Sequence, residues 1–288
     1  MKLAVAIPTH GRPAQVEQVV SHLARQTSLP DEVVISTPDP SHVSLPDDLP
    51  FSAHVVYSPL GACAQRNTAL DGLVDRFDII SFLDDDFVPA DDYIEGVKAA
   101  FASRHDFVVV MGRVILDGAT NEGVAWTDAL AALAAPDRWH GPAVVDHVGA
   151  YGCNMSIRVS AIGDLRFDER LVLYGWQEDI DFTSQLRRRG RVVCVTRLRG
   201  VHLGIKSGRV SGLRLGYSQV VNPIYLIRKG TVPVSFALPL MLRNLAANLV
   251  KSVRPEAHVD RRGRLRGNVL ALAHVLRGRV EPERILDL

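Results

Sequence analysis

Short apolar runs alternate with amphipathic, helix-like segments through the first 113 residues of this chain. Strand-like runs lie at Lys2–Pro8, Glu32–Ser36, His54–Tyr57, Ile79–Leu83 and Phe107–Val110. Helix-like segments lie between them at Pro13–Gln26, Ala62–Val74 and Asp92–Ser103. Because parallel strands must be joined by crossover segments, this order predicts a layered α/β domain with a mostly parallel central sheet.

The alternation weakens after about residue 113. We predict a short helix at Trp126–Ala135, a longer one at Trp176–Arg189 and a strand at Arg191–Thr196. A length of 288 residues allows one large domain or two small ones. The composition changes near Ser218–Thr231, so we place a domain boundary between residues 217 and 218.

Charge is distributed unevenly along a chain that is almost neutral overall. It has 33 Lys and Arg against 32 Asp and Glu. This balance argues against a nucleic-acid partner, because nucleic-acid binders usually show a strong basic excess. Residues 243–288 nevertheless hold ten basic and five acidic side chains, so an acidic body carries a basic tail.

The cysteines and the N-terminus indicate the compartment. Cys63, Cys153 and Cys194 are widely spaced and form no Cys-x-x-Cys pair, which favours a reducing environment. The N-terminal segment lacks the apolar region and cleavage site of a signal peptide. No segment offers the ~20 apolar residues that a membrane-spanning helix needs. We therefore expect a cytoplasmic protein.

Three consecutive carboxylates follow the predicted strand Ile79–Leu83. Alternate residues of an extended segment share a face, so Asp84 and Asp86 would face one site beyond the carboxyl end of the strand, where open α/β sheets bind ligands. Two clustered carboxylates repel each other unless a cation intervenes, and oxygen ligands suit Mg²⁺ or Mn²⁺. A solvated acidic loop or a helix cap is the alternative.

Three further segments could carry chemistry. Glu178 and Asp179 begin a helix that ends in three arginines, which suits the helix dipole but also suits a general base beside a metal. Arg66, in the second turn of the predicted helix after Gly61, is either an ordinary surface residue or a phosphate contact. His202 lies between two glycines and is either a surface histidine or a metal ligand.

The order of these segments resembles glycosyltransferase family 2. The series IPTHGRP, GACAQRN, FLDDDFVP, YGCNMSIR, WQEDIDFTSQLRRRG and GVHLG covers roughly residues 2–205. The resemblance implies an inverting transferase with a Rossmann-like GT-A fold, a nucleoside-diphosphate sugar as donor, and Mn²⁺ or Mg²⁺ as cofactor. It divides the catalytic domain into a nucleotide-binding half at 1–113 and an acceptor half at 114–217. A helical, basic extension would follow at 218–288.

The resemblance also implies residue roles. Asp86 would contact the cation, Asp84 would face the ribose or the metal's water shell, and Asp85 competes for the ribose role. His202 would be an additional metal ligand. Asp179, beside Glu178, would deprotonate the acceptor for a direct displacement with inversion. The nucleotide pocket would be lined by Pro8, Thr9, Arg12, Ser36 and Arg66, and the sugar or acceptor would lie near Cys153, Asn154 and Trp176.

One segment departs from the family pattern. In many members the second strand is followed by Asp-Asp-Gly-Ser, whose first acid helps to hold the nucleobase of the donor, whereas this chain has Ser36-Thr37-Pro38-Asp39. Ser36 and Thr37 could substitute for that acid, but the identity of the nucleobase stays open. Residues 114–150 carry no pattern that names the acceptor, which could be a glycan, a lipid-linked molecule or a small molecule.

Two other functions fit parts of the sequence. A nucleotidyltransferase that makes a sugar nucleotide shares the layering and the metal, but such enzymes usually have a Gly-rich loop with Arg and Lys after the first strand, and THGRPAQ matches it poorly. A catalytically inactive binding protein with the same fold is the second alternative. The retained side chains argue against it: Asp84, Asp86, Glu178, Asp179 and His202.

The basic tail predicts two helices separated by a loop. In Ala237–Arg254 apolar residues recur at helical spacing, with basic residues on the other faces. This helix could pack on the catalytic domain, join two subunits of a homodimer, or lie on an anionic membrane. We predict Arg261–Gly267 as a basic loop and Asn268–Leu276 as the second helix. Peripheral contact of residues 237–266 with the inner membrane face therefore stays open.

Overall fold

The predicted alternation of strands and helices is present in the structure, a computed structural model that describes residues 1–207 and 210–288. The strands are β1 (Leu3–Pro8), β2 (Glu32–Thr37), β3 (Ser52–Tyr57), β4 (Ile79–Leu83), β5 (Phe87–Pro89), β6 (Phe107–Asp117), β7 (Val144–Asp146), β8 (Asn154–Arg158) and β9 (Arg191–His202). The helices are α1 (Pro13–Leu23), α2 (Ala62–Leu73), α3 (Tyr93–Ser103), α4 (Trp126–Ala134), α5 (Glu178–Leu186), α6 (Gly212–Lys229), α7 (Val234–Lys251) and α8 (Arg261–Leu276).

The strands within the described residues form one sheet in the order β3-β2-β1-β4-β8-β6-β9-β5, with β7 beside β9. Strands β1 to β4 are parallel to one another, and β6 is parallel to β9. The short strands β5, β7 and β8 are antiparallel to their neighbours. The prediction of a mostly parallel α/β sheet is confirmed.

Helices cover both faces of the sheet, which explains why the central strands are apolar throughout. Leu3, Val5 and Ile7 of β1 pack with α1 and α3, whereas the alternating Ala4 and Ala6 pack with α2 and α5. All five side chains are fully buried. Because β1 pairs in parallel with both β2 and β4, these three strands end at one edge of the sheet, where their following loops meet.

Strand β8 was not predicted, and two other strands are several residues longer than predicted. Strand β8 inserts between β4 and β6, and β6 and β9 extend to Asp117 and His202 rather than ending at Val110 and Thr196. Strand β8 was missed because its sequence, NMSIR, has a polar residue in the middle. That residue, Ser156, is satisfied by the hydroxyl of Ser81 on β4 at 2.8 Å.

The C-terminal region is helical, as predicted, but its details differ. The predicted loop at Arg261–Gly267 is wrong, because these residues form the first half of α8. Asp260 caps this helix by accepting the N–H of Gly263 at 2.7 Å. Gly267 is required by packing, since a Cβ there would lie 2.1 Å from the Leu213 carbonyl of α6.

Helix α6 spans the boundary between the two predicted domains. This helix is continuous from Gly212 to Lys229, so the boundary that we placed at 217/218 falls inside it, and the division into domains stays a prediction. None of the helices that the structure describes combines the length and the apolar character needed to cross a bilayer.

Candidate active site

The loops after β1 and β4 meet through Asp85. The hydroxyl of Thr9 donates to Asp85 Oδ2 at 2.7 Å, and Nη1 of Arg12 contacts Asp85 Oδ1 at 2.7 Å. The same guanidinium nitrogen lies 3.7 Å from Asp86 Oδ2. Burial raises the pKa of Asp85, and the neighbouring Arg12 opposes that shift. Two residues predicted for the nucleotide pocket, Thr9 and Arg12, are therefore gathered at the acidic motif.

Strands β1 and β2 are tied together by a residue that the sequence analysis missed. Gln65 of α2 donates from Nε2 to the carbonyl of Thr9 at 2.6 Å and to the carbonyl of Ser36 at 2.9 Å. Pro8, half-buried at the end of β1, immediately precedes Thr9 and pairs with Ser36 of β2 in the sheet. The N–H of Thr9 also donates to the Ser36 carbonyl. Helix α2 thus braces the edge where the nucleotide pocket is predicted.

Three predicted metal ligands lie together at the carboxyl end of β4. Asp84, Asp86 and His202 each offer a ligand atom, and these atoms lie within 4.8 Å of one another. Asp86 Oδ2 accepts the N–H of Ile205 at 2.8 Å, and Oδ1 lies 3.3 Å from His202 Nε2. Two carboxylates and one imidazole form a donor set that suits Mn²⁺ and other divalent cations. The residues present therefore fit a divalent metal.

A second carboxylate holds the other side of the His202 ring. Asp117, at the end of β6, lies with Oδ1 3.0 Å from Nδ1 of His202, and Oδ2 accepts the Tyr151 hydroxyl at 3.2 Å. Its Oδ1 also accepts the N–H of Ala119 at 2.9 Å. Burial disfavours the charged imidazole, but the bonds to Asp117 and Asp86 outweigh it and raise the pKa of His202 to about 10.

The sequence analysis missed both Asp117 and Tyr151. Tyr151 is the first residue of the segment YGCNMSIR but received no role there, and Asp117 lies 85 residues from His202 in the chain. No local pattern connects them, because β6 and β9 become neighbours only in the sheet. The register that pairs Asp117 with His202 brings the two side chains together.

Arg66 joins the metal-ligand group to the start of α5. Its Nη1 forms an ion pair with Glu178, and its Nη2 lies 3.1 Å from Asp84 Oδ1 and 3.3 Å from the Gly152 carbonyl. Arg66 and Glu178 are both buried. Burying a charged pair away from water is tolerable only when each charge is paired and hydrogen-bonded, as it is at this site. Arg66 therefore positions both acids at once.

Asp179 lies next to this ion pair and has a different environment. Its Oδ2 accepts the N–H of Gly152 and its Oδ1 accepts its neighbour Ile180's N–H, both at 2.7 Å. Poor solvation raises the pKa of Asp179, with Arg66 and the two N–H groups opposing the shift. A carboxylate with a raised pKa is a stronger base, which is the property that deprotonation of a hydroxyl requires.

The segment before α5 is held by the C-terminal region. Leu173, Gly175 and Gln177 adopt left-handed backbone conformations, with φ of 58°, 59° and 74°. Between them, Trp176 is half-buried, and its carbonyl accepts Nδ2 of Asn222 on α6 at 2.8 Å. Helix α6 therefore fixes the backbone that leads into Glu178 and Asp179.

Two residues predicted near the sugar or acceptor do not present their side chains to the site. Cys153 packs in the apolar core, and Asn154 is fully buried with its amide donating to the Gly112 carbonyl at 3.1 Å. The Cys153 carbonyl instead accepts the N–H of Asp84. The backbone of Cys153 therefore supports the acidic motif, and the burial of both side chains argues against their direct contact with a sugar.

Comparison with solved structures shows the same architecture. A form of TarS from S. aureus in complex with UDP-GlcNAc superposes with a TM-score of 0.58 at 16% identity, over 99% of this chain and 83% of that one. The mannosyltransferase PcManGT from Pyrobaculum calidifontis, in complex with GDP-Man and Mn²⁺, gives a TM-score of 0.54 at 16% identity, over 99% of this chain and 78% of that one. Against a longer TarS chain the TM-score is 0.50, and this chain spans 40% of its length.

Sequence comparison adds the family. Comparison with curated proteins gives no significant match, so the likeness to individual proteins rests on structure. The model of glycosyl transferase family 2 matches residues 4–162, more than half of the chain, and this stretch contains the acidic motif Asp84–Asp86. The structural neighbours are glycosyltransferases with the GT-A fold. The protein therefore belongs to glycosyl transferase family 2 and has the GT-A fold.

Proposed function

We propose that this protein transfers a sugar from a nucleoside diphosphate to an acceptor hydroxyl, with a divalent metal and with inversion at the anomeric carbon. The observation that carries the proposal is the convergence of Asp84, Asp86 and His202, whose ligand atoms lie within 4.8 Å of one another. Asp84 of this group also contacts Arg66, which pairs with the residue preceding Asp179. Metal ligands and candidate base thus belong to one connected site.

Asp84, Asp86 and His202 would hold Mn²⁺ or Mg²⁺. A bound divalent cation would stabilise the negative charge that develops on the departing diphosphate. The chain's own cations, Arg12 and Arg66, both touch the acidic motif and would add to that stabilisation. Both arginines are already held by carboxylates, so they need little reordering when an anionic donor binds.

Asp179 would act as the general base. It would accept the acceptor's proton while the oxygen attacks the anomeric carbon from the side opposite the leaving group. Two backbone N–H groups orient its carboxylate. Glu178 is paired with Arg66 and is therefore a poorer candidate for that proton. A direct displacement of this kind needs no covalent enzyme intermediate and inverts the configuration.

Donor binding is the decisive test. Thermal-shift titration with UDP- and GDP-sugars, each with and without Mn²⁺, would identify the nucleobase that the donor carries and show whether donor binding depends on the metal. We expect stabilisation by one nucleotide sugar, dependent on Mn²⁺ and lost in Asp86→Ala. Stabilisation by a nucleoside triphosphate with release of pyrophosphate would favour a nucleotidyltransferase. Binding of the donor with no transfer to any hydroxyl would favour an inactive binding protein.

The setting of the reaction is also a proposal. We propose a cytoplasmic location, at the inner membrane face where the C-terminal extension contacts lipid, and an acceptor that is a glycan, a lipid-linked molecule or a small molecule. The acceptor half at 114–217 and the extension at 218–288 would share the acceptor side, because Asn222 of α6 contacts the Trp176 carbonyl.

A further inference from the structure

The outer face of α7 is apolar and faces away from the protein. The helix packs through Ala237, Met241 and Asn248, which are buried against α6 and α8. At about 100° per residue, the exposed apolar side chains of α7 lie about 80° to 200° around the helix axis from this buried stripe. They continue into the turn after the helix and comprise Leu238, Leu242, Leu249, Val250 and Val253.

The exposure of this face is large. Leu249 is 60% exposed and Val253 is 75% exposed, and the row from Leu238 to Val253 extends about 22 Å along the helix axis. Helix α8 also exposes apolar side chains, since Leu276 is 87% exposed and Val269 is 61% exposed. Exposed apolar residues are normal singly, but a row along one helix indicates an interaction surface.

The charge of this part of the chain is predominantly positive. From residue 237 to 279 the chain has nine basic and two acidic residues. Both acids have partners, since Glu256 pairs with Lys251 and Arg261, and Asp260 caps α8. Exposed guanidinium groups flank the apolar row at Arg243 and Arg254 on α7 and the turn after it.

The apolar row and the positive charge together indicate which partner covers this face, a second copy of the chain or a membrane. A two-fold homodimer through α7 would bring each patch against its own copy, so the arginines that flank the row would face one another and repel. An anionic bilayer offers the complementary partner, because its hydrocarbon accepts the leucines and its headgroups attract the arginines.

We propose that the outer face of α7, with the exposed residues of α8, docks on an anionic lipid bilayer, with α7 lying in the plane of the headgroups. The proposal deepens the peripheral location proposed above and does not depend on the transfer reaction. Its consequence concerns the acceptor: α7 packs on α6, and α6 holds the Trp176 carbonyl through Asn222. The acceptor side would therefore be tethered to the lipid surface.

Co-sedimentation with vesicles tests the proposal on the full chain. The probes are vesicles of phosphatidylcholine alone and vesicles of phosphatidylcholine and phosphatidylglycerol in equal parts. We expect binding to the anionic vesicles that weakens at high salt. Reversal of two charges in Arg243→Glu/Arg254→Glu should lower the partition coefficient by at least about 20-fold. Leu242→Ser/Leu249→Ser should lower it by at least about tenfold.

The control reverses two exposed charges outside the extension, in Arg138→Glu/Arg187→Glu, and should bind like the wild type. All substituted side chains are exposed, so we expect unchanged circular dichroism. If the leucine variant fails to fold, the proposal is still tested by the binding of the arginine variant and by the comparison of wild-type binding to the two kinds of vesicle. Equal binding to neutral and anionic vesicles, or unchanged binding of the arginine variant, overturns the proposal. So does a dimer that the leucine variant converts to a monomer in light scattering.

Discussion

Replacement of Asp117 by asparagine should weaken metal binding without touching a metal ligand. The carboxylate contacts His202 Nδ1 at 3.0 Å and is itself anchored by Ala119 and Tyr151. We propose that it accepts the Nδ1 proton, so that Nε2 would offer its lone pair to a cation that displaces the proton shared with Asp86. An asparagine removes the charge from this bond and allows the ring to rotate or to change tautomer.

The expected magnitude follows from the geometry. A charge-assisted hydrogen bond is about twice as strong as a neutral one, and loss of such a partner behind a metal-binding histidine typically costs 10- to 100-fold in metal affinity. That range corresponds to about 1.4–2.8 kcal/mol. Tyr151→Phe removes a hydroxyl that lies 3.2 Å from the far oxygen of Asp117 and 3.1 Å from His202 Nδ1, but it keeps the carboxylate beside the ring, so we expect a smaller loss, below about threefold.

Titration of Mn²⁺ followed by the electron paramagnetic resonance signal of the free ion measures this affinity directly. Asp128→Asn is the matched control, because it removes the same charge from an exposed position on α4. If Asp117→Asn binds Mn²⁺ within twofold of the wild type, Asp117 does not hold the ligand ring. If the wild type itself does not bind Mn²⁺, the metal-dependent function fails instead, so the two failures are distinguishable.

Three further outcomes are expected. Asp179→Asn should keep donor binding by thermal shift and lose at least about 100-fold in kcat; a wild-type rate would remove Asp179 as the base. In the wild type, kcat should fall toward acid with an apparent pKa above the ordinary ~3.9 of aspartate, because the folded site raises the pKa of Asp179; a flat profile down to pH ~4 would contradict this. Gly267→Ala should lower the free energy of unfolding by about 1–3 kcal/mol in urea titrations, because its Cβ would meet the Leu213 carbonyl. Gly72→Ala, where a Cβ meets nothing within 4 Å, is its control and should leave stability equal or higher; equal losses in both would show that packing of α6 on α8 is not the cause.

Much of the fold of residues 1–113 was predictable because the information that specifies it is local. Each buried parallel strand is a short apolar run, each crossover helix has its own apolar periodicity, and both signals lie within a few residues. The acidic motif was predictable for the same reason, since Asp84 and Asp86 follow β4 directly in the chain. Their convergence with His202 was implied by the family resemblance rather than by any local pattern.

The sequence by itself determined the α/β class, the edge of the sheet that carries the acids, and the helical character of most of the basic tail. Only the tertiary structure decided which distant groups meet there. Asp117 reaches His202 through the β6–β9 pairing, Arg66 joins Glu178 to Asp84, and Asn222 braces the Trp176 carbonyl. Periodicity records which face of an element is buried, but not which element covers it. Pairings between residues that lie 18 to 112 residues apart depend on how the whole chain packs.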